Sequence, residues 1–591
     1  MKQHIGEIIA DLREKIGCTQ MQLSLKLCSV AETARIESGQ KIPNQFLLDI
    51  LFGRMGRATD RLEYILPFSV YQMYELQFQI QKEILYRNLE EAGRLLDEYK
   101  KKKVPYQPLH IQFYEQEQAQ IEWIRGGDTD VILSHLDRAV IQTMEQEQKI
   151  EKGVFLSADE VKLLLFRWEV CFGTECERSV LELVRITEYL ESREFETEEL
   201  AKVYPYVVVL GSHAGIFMGK ELKKRAEKAF ELLRDSGQIL FLPQILEILS
   251  GYSQSEQEKK EYGFLRESIL EVGEKYGVHY EKMPLFRYCN RMFELDYEVI
   301  KRTRDAMELS QESLCGDICT QETLSRIERG KNAPAFGTMQ QLMQKMDRKW
   351  KQIAMVITAE RYEALVVERE VVKSESRREE KCQEEFEKLG ELLDMDVLEN
   401  QQYVELKKLM FEMRNQKYSY EEAIQKLYDI LYLTLKCRGD EMYQYPLMFR
   451  EVLVLNLIAV YHCWNQEIEK GVQMWKKLLK NFEQKKVDKV FLSREWELIA
   501  GNMAQRIAEL GKEEQGIRIC QERLKMQLEM GKGAHIGRSL EIMAYALDKL
   551  QNQNYIYYFR NAMHWFRLMK HDSRYLLMKE YAEENQLELY S

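Results

Sequence analysis

The sequence predicts an all-α protein, and three observations lead to this fold class. The chain has nine prolines in 591 residues, about 1.5% against an average near 5%, and long helices need few such breakers. Apolar residues recur at steps of three and four positions, which is typical of amphipathic helices. The third observation is a long internal repeat. Together they argue against a β-sandwich, a barrel, a doubly wound sheet or a disordered chain.

The internal repeat is clearest in two segments that lie near the start of each half. Residues 19–43 read TQMQLSLKLCSVAETARIESGQKIP, and residues 310–334 read SQESLCGDICTQETLSRIERGKNAP. Aligned without a gap at an offset of 291, they share eight of 25 residues. Weaker matches continue downstream, such as residues 219–221 with residues 511–513, both Gly-Lys-Glu. A unit of about 290 residues is therefore expected to occur twice.

Each unit is predicted to hold a small helical head and a larger region of stacked helices. The predicted domains are residues 1–67 and 291–357 for the heads, and residues 68–290 and 358–591 for the repeat regions. Residues 418–424 (YSYEEAI) have the polar turn, aromatic and alanine order of a tetratricopeptide-like (TPR-like) helix pair. Helices with one apolar stripe stack side by side, so both regions are predicted to be α-solenoids. A generic helical bundle is the alternative.

The second head is predicted to contain two short helices joined by a tight turn. Ser310 and Thr320 would cap their N-termini, and Gly330 would end the second helix. Polar residues in the first turns of that second helix then face outward, in the geometry that fits the major groove of DNA. Glutamine and arginine at such positions hydrogen-bond to base edges. The predicted DNA-binding residues are Ser310, Gln311, Thr320, Gln321, Glu322, Thr323 and Arg326.

The first head offers fewer hydrogen-bonding groups at the corresponding positions. Ser29 and Glu32 fit a capping box, but Val30 and Ala31 stand where the second head has glutamine and glutamate. This head would contact a thymine methyl group or bind mainly through its backbone, and loss of DNA binding is the alternative. Its predicted contact residues are Gln20, Ser29, Val30, Ala31, Glu32, Thr33 and Arg35.

The series S-Q-x-x-L…S-R-I-E-x-G-x-x-x-P within residues 310–334 resembles the XRE (Cro/repressor) helix-turn-helix family, whose modules have a lambda-repressor-like fold. The resemblance implies a structural ion pair between Arg304 and Glu328, which are 24 residues apart. Arg13 and Glu37 have the same separation in the first head. We therefore interpret these four residues as scaffold and not as base contacts.

A module of this kind followed by TPR-like helices resembles the PlcR/Rgg class of peptide-pheromone receptors from Gram-positive bacteria. The spacing L-x3-[IL]-C-[ST]-x4-[SA]-R-I-E is similar to that of the PlcR branch. The resemblance implies that a short signalling peptide binds the concave face of the repeats and repositions the DNA-binding modules of a dimer. The repeats diverge too far for peptide-contacting residues to be carried over. Two copies in one chain depart from the family pattern.

The sequence thus predicts a sequence-specific transcriptional regulator whose partners are double-stranded DNA and a short signalling peptide. It would work as a single-chain pseudo-dimer or as a homodimer. The alternative is a peptide- or protein-binding helical scaffold whose modules no longer contact DNA. An enzyme is not expected, because H-E-x-x-H and G-x-S-x-G motifs are absent from the sequence. Eleven scattered cysteines without a C-x-x-C pair predict no metal site, and no cofactor is expected.

Charge and hydropathy add two expectations. Residues 1–67 carry a formal charge of +1 and residues 298–352 one of +2, so −15 falls on the rest of a chain whose total is −12. Nearly neutral heads predict that DNA affinity depends on paired binding and falls with salt. The uncharged stretches 203–219 and 452–465 are shorter than the ~20 apolar residues that span a bilayer. With no signal peptide at the N-terminus, a cytoplasmic location is expected.

Overall fold

Helices dominate the described part of the chain, which confirms the all-α prediction. Three short strands and two 3-10 helices accompany them there. The structure is a computed structural model, and it describes residues 5–41, 43–60, 62–102, 107–145, 150, 153–172, 176–288, 292–332, 334–346, 353–355, 362–377 and 380–587.

The first half begins with short helices, passes through a strand and continues with longer helices. The elements are α1 (Ile5–Lys15), α2 (Gln20–Ser24), α3 (Val30–Glu37), α4 (Gln45–Arg54), β1 (Leu62–Leu66), α5 (Phe68–Leu85), α6 (Leu89–Lys100), α7 (Gln107–Arg125), α8 (Thr129–Thr143), α9 (Ala158–Cys171), α10 (Cys176–Ser192), α11 (Thr197–Leu200), α12 (Tyr204–His213), α13 (Gly219–Ser236), α14 (Leu242–Tyr252) and α15 (Glu256–Lys275).

The second half has a strand before its short helices as well as one after them. Its elements are β2 (Met292–Leu295), α16 (Asp296–Ala306), α17 (Gln311–Cys315), α18 (Gln321–Glu328), α19 (Phe336–Lys345), β3 (Ile353–Met355), α20 (Tyr362–Arg377), α21 (Cys382–Leu392), α22 (Leu398–Arg414), α23 (Tyr420–Leu431), α24 (Phe449–Trp464), α25 (Ile468–Glu483), α26 (Ser493–Glu509), α27 (Glu513–Glu529), α28 (Ile536–Lys549), α29 (Tyr555–Leu568) and α30 (Asp572–Glu584). The 3-10 helices are Gly439–Gln444 and Lys489–Leu492.

Local sequence explains where several of the longer helices begin. Ser157 and Glu160 form a capping box at the start of α9, and Ser419 and Glu422 form another at the start of α23. The two uncharged stretches form α12 and most of α24, and both helices are largely buried. Among the helices that the structure describes, none is both long enough and apolar enough to cross a membrane.

A small sheet, with strand order β2-β1-β3, joins the two halves of the chain. β1 runs parallel to β2, with Glu63 opposite Met292 and Leu66 opposite Leu295. β1 runs antiparallel to β3. This sheet could not be predicted from the sequence, because each strand has only three to five residues and pairs with a strand in the other half of the chain. Such pairing leaves no local periodicity to detect.

The β1–β3 pairing is symmetric in its residue numbers. Leu62 pairs with Met355, and Tyr64 pairs with Ile353. At the sequence offset of 291, Leu62 corresponds to Ile353. Tyr64 likewise corresponds to Met355, so exchanging the two halves returns the same pairs. Self-complementary pairing of this kind is what an isologous contact about a two-fold axis produces.

A second contact between the halves has the same symmetry. Gly237 and Gly531 both have positive φ angles, 69° and 67°, and are 294 residues apart. The amide of Ile239 donates to the carbonyl of Gly531 at 3.1 Å, and the amide of Gly533 donates to the carbonyl of Gly237 at 2.8 Å. At the offset of 294, Ile239 corresponds to Gly533 and Gly237 to Gly531, so exchanging the two halves converts each of these hydrogen bonds into the other. The local two-fold relation therefore holds at this end of the repeats as well as at the sheet.

Helices α15 and α29 pack antiparallel between these two halves, and polar side chains link them. The Ser268 hydroxyl lies 2.5 Å from the Asn561 side-chain oxygen. On one side of that contact Glu271 pairs with Arg560 at 2.7 Å. On the other side Glu261 pairs with Arg567 at 2.9 Å. The order of these pairs shows that the two helices run in opposite directions.

The helix that follows each head packs against the opposite half. On α5, Tyr71 accepts a hydrogen bond from the backbone amide of Asp488 at 2.7 Å. On α20, Tyr362 donates to Glu196 at 3.0 Å, and Arg369 donates to the same carboxylate at 3.1 Å. Glu196 and Asp488 are 292 residues apart, close to the offset of the other matches. Each half therefore contributes a helix that packs against the other half, as the subunits of a symmetric dimer do.

The two glycines of the symmetric contact give a matched stability test. An alanine at Gly237 would meet Ala534 Cβ at an ordinary 3.4 Å, whereas one at Gly531 would lie 2.7 Å from Phe286 and 2.9 Å from Tyr288. Gly237→Ala should lower the free energy of unfolding by about 1 kcal/mol through left-handed backbone strain. Gly531→Ala should lower the free energy of unfolding by a further ~1–3 kcal/mol, because its methyl group would overpack the contact with the two rings. Denaturant unfolding measures both, and equal losses would contradict the close approach at Gly531.

Candidate nucleic-acid interface

The second head has the helical caps that its sequence predicts. Ser310 Oγ accepts a hydrogen bond from the amide of Ser313 at 3.0 Å at the start of α17. Thr320 Oγ1 accepts one from the amide of Thr323 at 3.1 Å at the start of α18. Gly330, with φ of 65°, follows the end of α18. The caps fix the first turn of each helix.

A small apolar core orients α18 in the second head. Leu324 and Ile327 on α18 are buried against Leu314 of α17 and Ile300 of α16. Ile318 packs against this core but is only half-buried. Because the inner face is occupied in this way, the predicted contact residues Gln321, Glu322 and Arg326 are exposed, as are Ser310 and Thr320. Thr323 is half-buried, and its hydroxyl lies 2.8 Å from that of Thr320.

Both heads contain the ion pair that the family resemblance implies. Arg304 Nε donates to Glu328 at 2.5 Å, and Arg304 Nη1 donates to the carbonyl of Leu309 at 2.8 Å. In the first head Arg13 Nε donates to Glu37 at 2.6 Å, and Arg13 Nη1 donates to the carbonyl of Cys18 at 2.9 Å. This hydrogen bond to Glu37 raises the pKa of Arg13. The same network thus holds α1 to α3 and α16 to α18.

Two predicted DNA-binding glutamines are part of this network. Gln20 Nε2 donates to Glu37 at 2.8 Å, and Gln311 Nε2 donates to Glu328 at 2.6 Å. Both side chains are half-buried. Their amide nitrogens therefore act in the scaffold, and contact with DNA through their remaining groups stays a prediction. Nothing in the spacing distinguished this use for Gln311, because it lies next to Ser310, which was predicted both as a cap and as a DNA contact.

The first head exposes a less polar surface at α3. Val30, Ala31 and Arg35 are exposed, and Ser29 caps the helix by accepting from the amide of Glu32 at 3.1 Å. The Glu32 carboxylate pairs with Lys41 at 2.5 Å. Val30 is 44% exposed, and Met21 of α2 and Leu25, which follows that helix, are also exposed. This surface has fewer hydrogen-bonding groups than that of α18.

Thr33 does not face outward, which corrects its prediction as a DNA contact. Its side chain is 0% exposed, and its hydroxyl lies 3.3 Å from the Cys28 sulfur. At the offset of 291, Thr33 corresponds to Leu324, a core residue of the second head. The alignment of the two segments therefore carried the signal that this position belongs to the interior.

The two heads dock differently onto the repeats. In the first head, Arg54 of α4 donates to both carboxylate oxygens of Glu160, at 3.1 and 2.6 Å, and both side chains are 1% exposed. Arg54 also donates to the carbonyls of Leu23, Leu25 and Thr143. The apolar core of this head is continuous with that of the repeats. The first head is thus fixed by a fully buried, fully bonded guanidinium.

The second head uses the corresponding carboxylate but another arginine. Glu451, 291 residues after Glu160, accepts from Arg302 of α16 at 2.6 Å. Lys345, which corresponds to Arg54, is exposed. The core of the second head is a separate cluster that Ile65 of β1 joins. Sequence reasoning missed both docking arginines, because neither belongs to a helix-turn-helix pattern.

With this geometry established, comparison with known proteins identifies the second head. Residues 300–351 match the model of the helix-turn-helix family. The matched segment runs from α16 through α19 and contains both the caps and the Arg304–Glu328 pair. No curated protein matches the chain significantly. The second head is therefore a helix-turn-helix module of the XRE type, and the same assignment for the first head stays a prediction.

Several solved structures of regulators are similar to parts of the chain at low identity. PlcR of Bacillus thuringiensis in complex with the peptide PapR7 and DNA is 17% identical, with a TM-score of 0.33, over 48% of this chain and 98% of that one. ComR from S. thermophilus in complex with DNA and its signalling peptide ComS is 14% identical, with a TM-score of 0.30, over 49% and 100%.

One further solved structure matches a larger share of this chain. A signal transduction ATPase with a tetratricopeptide repeat sensor from Pyrococcus horikoshii is 12% identical, with a TM-score of 0.27, over 88% of this chain and 90% of that one. The assignment of the second head depends on none of these likenesses; it rests on the family match and on the geometry of that head.

The buried Arg54–Glu160 pair yields a stability prediction. Arg54→Ala should lower the free energy of unfolding by about 3–5 kcal/mol, because it leaves the Glu160 carboxylate buried without its partner. Lys345→Ala, at the corresponding exposed position of the second head, should change it by less than about 0.5 kcal/mol. Denaturant unfolding followed by circular dichroism measures both. A small loss in the Arg54 variant would mean that the first head is not held by this pair.

Proposed function

We propose that the chain is a sequence-specific transcriptional regulator that binds double-stranded DNA with both heads and works as a single-chain pseudo-dimer. The observation that carries the proposal is the exposed polar face of α18, where Gln321 and Arg326 project from a helix anchored by a buried core. Such side chains hydrogen-bond to adenine and guanine edges in the major groove. The family match of the second head supports the same activity.

The local two-fold relation between the halves supports the pseudo-dimer. Regulators of this kind bind two half-sites, and a two-fold axis between two heads presents both to one duplex. Here the symmetric contacts at β1–β3 and at Gly237–Gly531 lie within one chain. Under the proposal they replace the interface of a homodimer. We further propose that the two units arose by duplication of one.

The proposal includes control by a short peptide bound to the TPR-like repeats. This element comes from the sequence resemblance to peptide-pheromone receptors. The repeats would transmit the signal through the contacts that hold each head, Glu160 with Arg54 and Glu451 with Arg302. Because the two heads dock differently, a change in one repeat region would not move both heads alike.

The second candidate function is a peptide- or protein-binding scaffold without DNA binding. The exposed apolar side chains of the first head, Met21, Leu25 and Val30, are the observation that favours it. A scaffold would show no salt-sensitive specific complex in gel-shift measurements with the gene's own upstream region, whereas the regulator would.

Base contact by the second head can be tested with two substitutions. Gln321→Ala and Arg326→Ala should each weaken specific binding by about 1–3 kcal/mol, because each removes a base-edge hydrogen bond. Arg518→Ala is the matched control, since Arg518 is exposed and pairs with Glu514 four residues before it, as Arg326 does with Glu322. Fluorescence anisotropy with a labelled operator measures the affinities. Equal loss in the control and test variants would argue against base contact.

The difference between the heads predicts the form of the operator. Because Val30 and Ala31 stand where the second head has Gln321 and Glu322, the two half-sites should differ in sequence. In vitro selection from random duplexes should therefore recover an asymmetric site. Recovery of a perfect palindrome would instead indicate two chains that pair through one active head each.

A further inference from the structure

The segment that links the two halves is buried inside the first repeat region. Residues 283–287, Met-Pro-Leu-Phe-Arg, follow α15 and precede β2, and they lie outside both elements. Met283, Leu285 and Phe286 are only 1–2% exposed. A linker that merely connected two domains would run over the surface. This segment therefore has a binding partner within the fold.

Side chains from three alternate helices bind the backbone of this segment. Gln81 of α5 donates through Nε2 to the carbonyl of Leu285 at 3.3 Å and accepts through Oε1 from the amide of Arg287 at 3.1 Å. Gln120 of α7 accepts from the amide of Leu285 at 3.2 Å. Lys162 of α9 donates to the carbonyl of Phe286 at 2.9 Å. Alternate helices of a solenoid line one face, so these groups form a single groove.

The segment's own side chains add selectivity. The guanidinium of Arg287 lies over the ring of Phe113, 5.1 Å from its centre, and donates to Gln116 at 3.4 Å. The amide nitrogen of Gln120 lies 3.6 Å from the sulfur of Met283. Backbone hydrogen bonds tolerate any sequence, whereas an arginine over an aromatic ring selects a cation. The amide of Phe286 donates to the carbonyl of Met283 at 3.1 Å, so the backbone turns at Pro284 and Leu285. The groove thus fits a peptide that makes such a turn and has apolar residues followed by arginine.

The corresponding face of the second repeat region has different chemistry. At the offset of 291, Gln81 corresponds to Val372 and Gln120 to Phe411, neither of which carries a side-chain amide. Lys162 corresponds to Leu453 at the offset of 291. The side-chain amides of Gln81 and Gln120 that bind the backbone of the segment are therefore specific to the first region and are not a general property of the repeats.

We propose that this face of α5, α7 and α9 is a peptide-binding groove whose ligand is the chain's own segment 283–287, a tethered peptide. The groove recognises a peptide that turns at proline and continues with an apolar pair followed by arginine, and a free peptide of this kind enters when the tether leaves. One consequence rests on the proposed function: an external signalling peptide would act through the second repeat region, because the first groove is already filled.

The first experiment replaces residues 283–287 of the full chain by a Gly/Ser stretch of equal length. A labelled synthetic peptide with the sequence of residues 282–288 is added in the absence of DNA, and its fluorescence anisotropy is followed. The account predicts saturable binding at one peptide per chain and a higher melting temperature with peptide. A scrambled peptide should not bind, and Gln81→Leu with Gln120→Leu in the same background should abolish binding. Absence of sequence-specific binding by a folded replacement chain would overturn the proposal.

The second experiment keeps the segment intact and so does not depend on how the replaced chain folds. Gln81→Ala in the otherwise unaltered chain should speed hydrogen exchange of the amides in residues 283–287 by about tenfold, because two backbone hydrogen bonds are lost. Gln118→Ala is the matched control, since its side-chain amide bonds within α7 to Tyr114. Unchanged exchange in the Gln81 variant would overturn the proposal. Both measurements omit DNA, so their failure would leave the DNA-binding proposal standing.

Discussion

The pairing of β1 with β3 about a local two-fold axis is the constraint on which the rest of the arrangement depends. Each strand lies at the C-terminal end of a head and precedes the first helix of a repeat region, so their pairing places the two heads beside each other. The same relation recurs where Ile239 and Gly533 exchange backbone hydrogen bonds with Gly531 and Gly237. Contacts at both ends of the repeats leave the halves little freedom to move as separate bodies.

Within this symmetric frame the two heads differ in how they are held and in what they expose. Glu160 and Glu451 lie at the same position of the two repeat regions. Glu160 pairs with Arg54 of the first head, and Glu451 pairs with Arg302 of the second. The first head shares its apolar core with the repeats, while the second has its own. The subunits of a homodimer have the same sequence, so their sequence could not encode a difference between the two heads. A single chain carrying two units can, because each head evolves separately.

The sequence predicted those features that depend on residues close together in the chain. Caps at Ser310 and Thr320 follow from short fixed spacings, and the Arg304–Glu328 pair follows from the resemblance of this segment to a known family. The sheet could not be predicted, since its strands are stabilised only by partners from distant segments. The groove for residues 283–287 was missed for a related reason. Buried glutamines such as Gln81 and Gln120 resemble surface residues until the backbone that they bind is known.

The stoichiometry of the DNA complex tests the central claim of a single-chain pseudo-dimer most directly. Native mass spectrometry of the full chain with its selected operator measures how many chains bind one duplex. The account predicts one chain of 70.4 kDa per duplex as the specific complex, with both half-sites protected from cleavage. A smallest specific complex of two chains per duplex, with each chain protecting a single half-site, would contradict it.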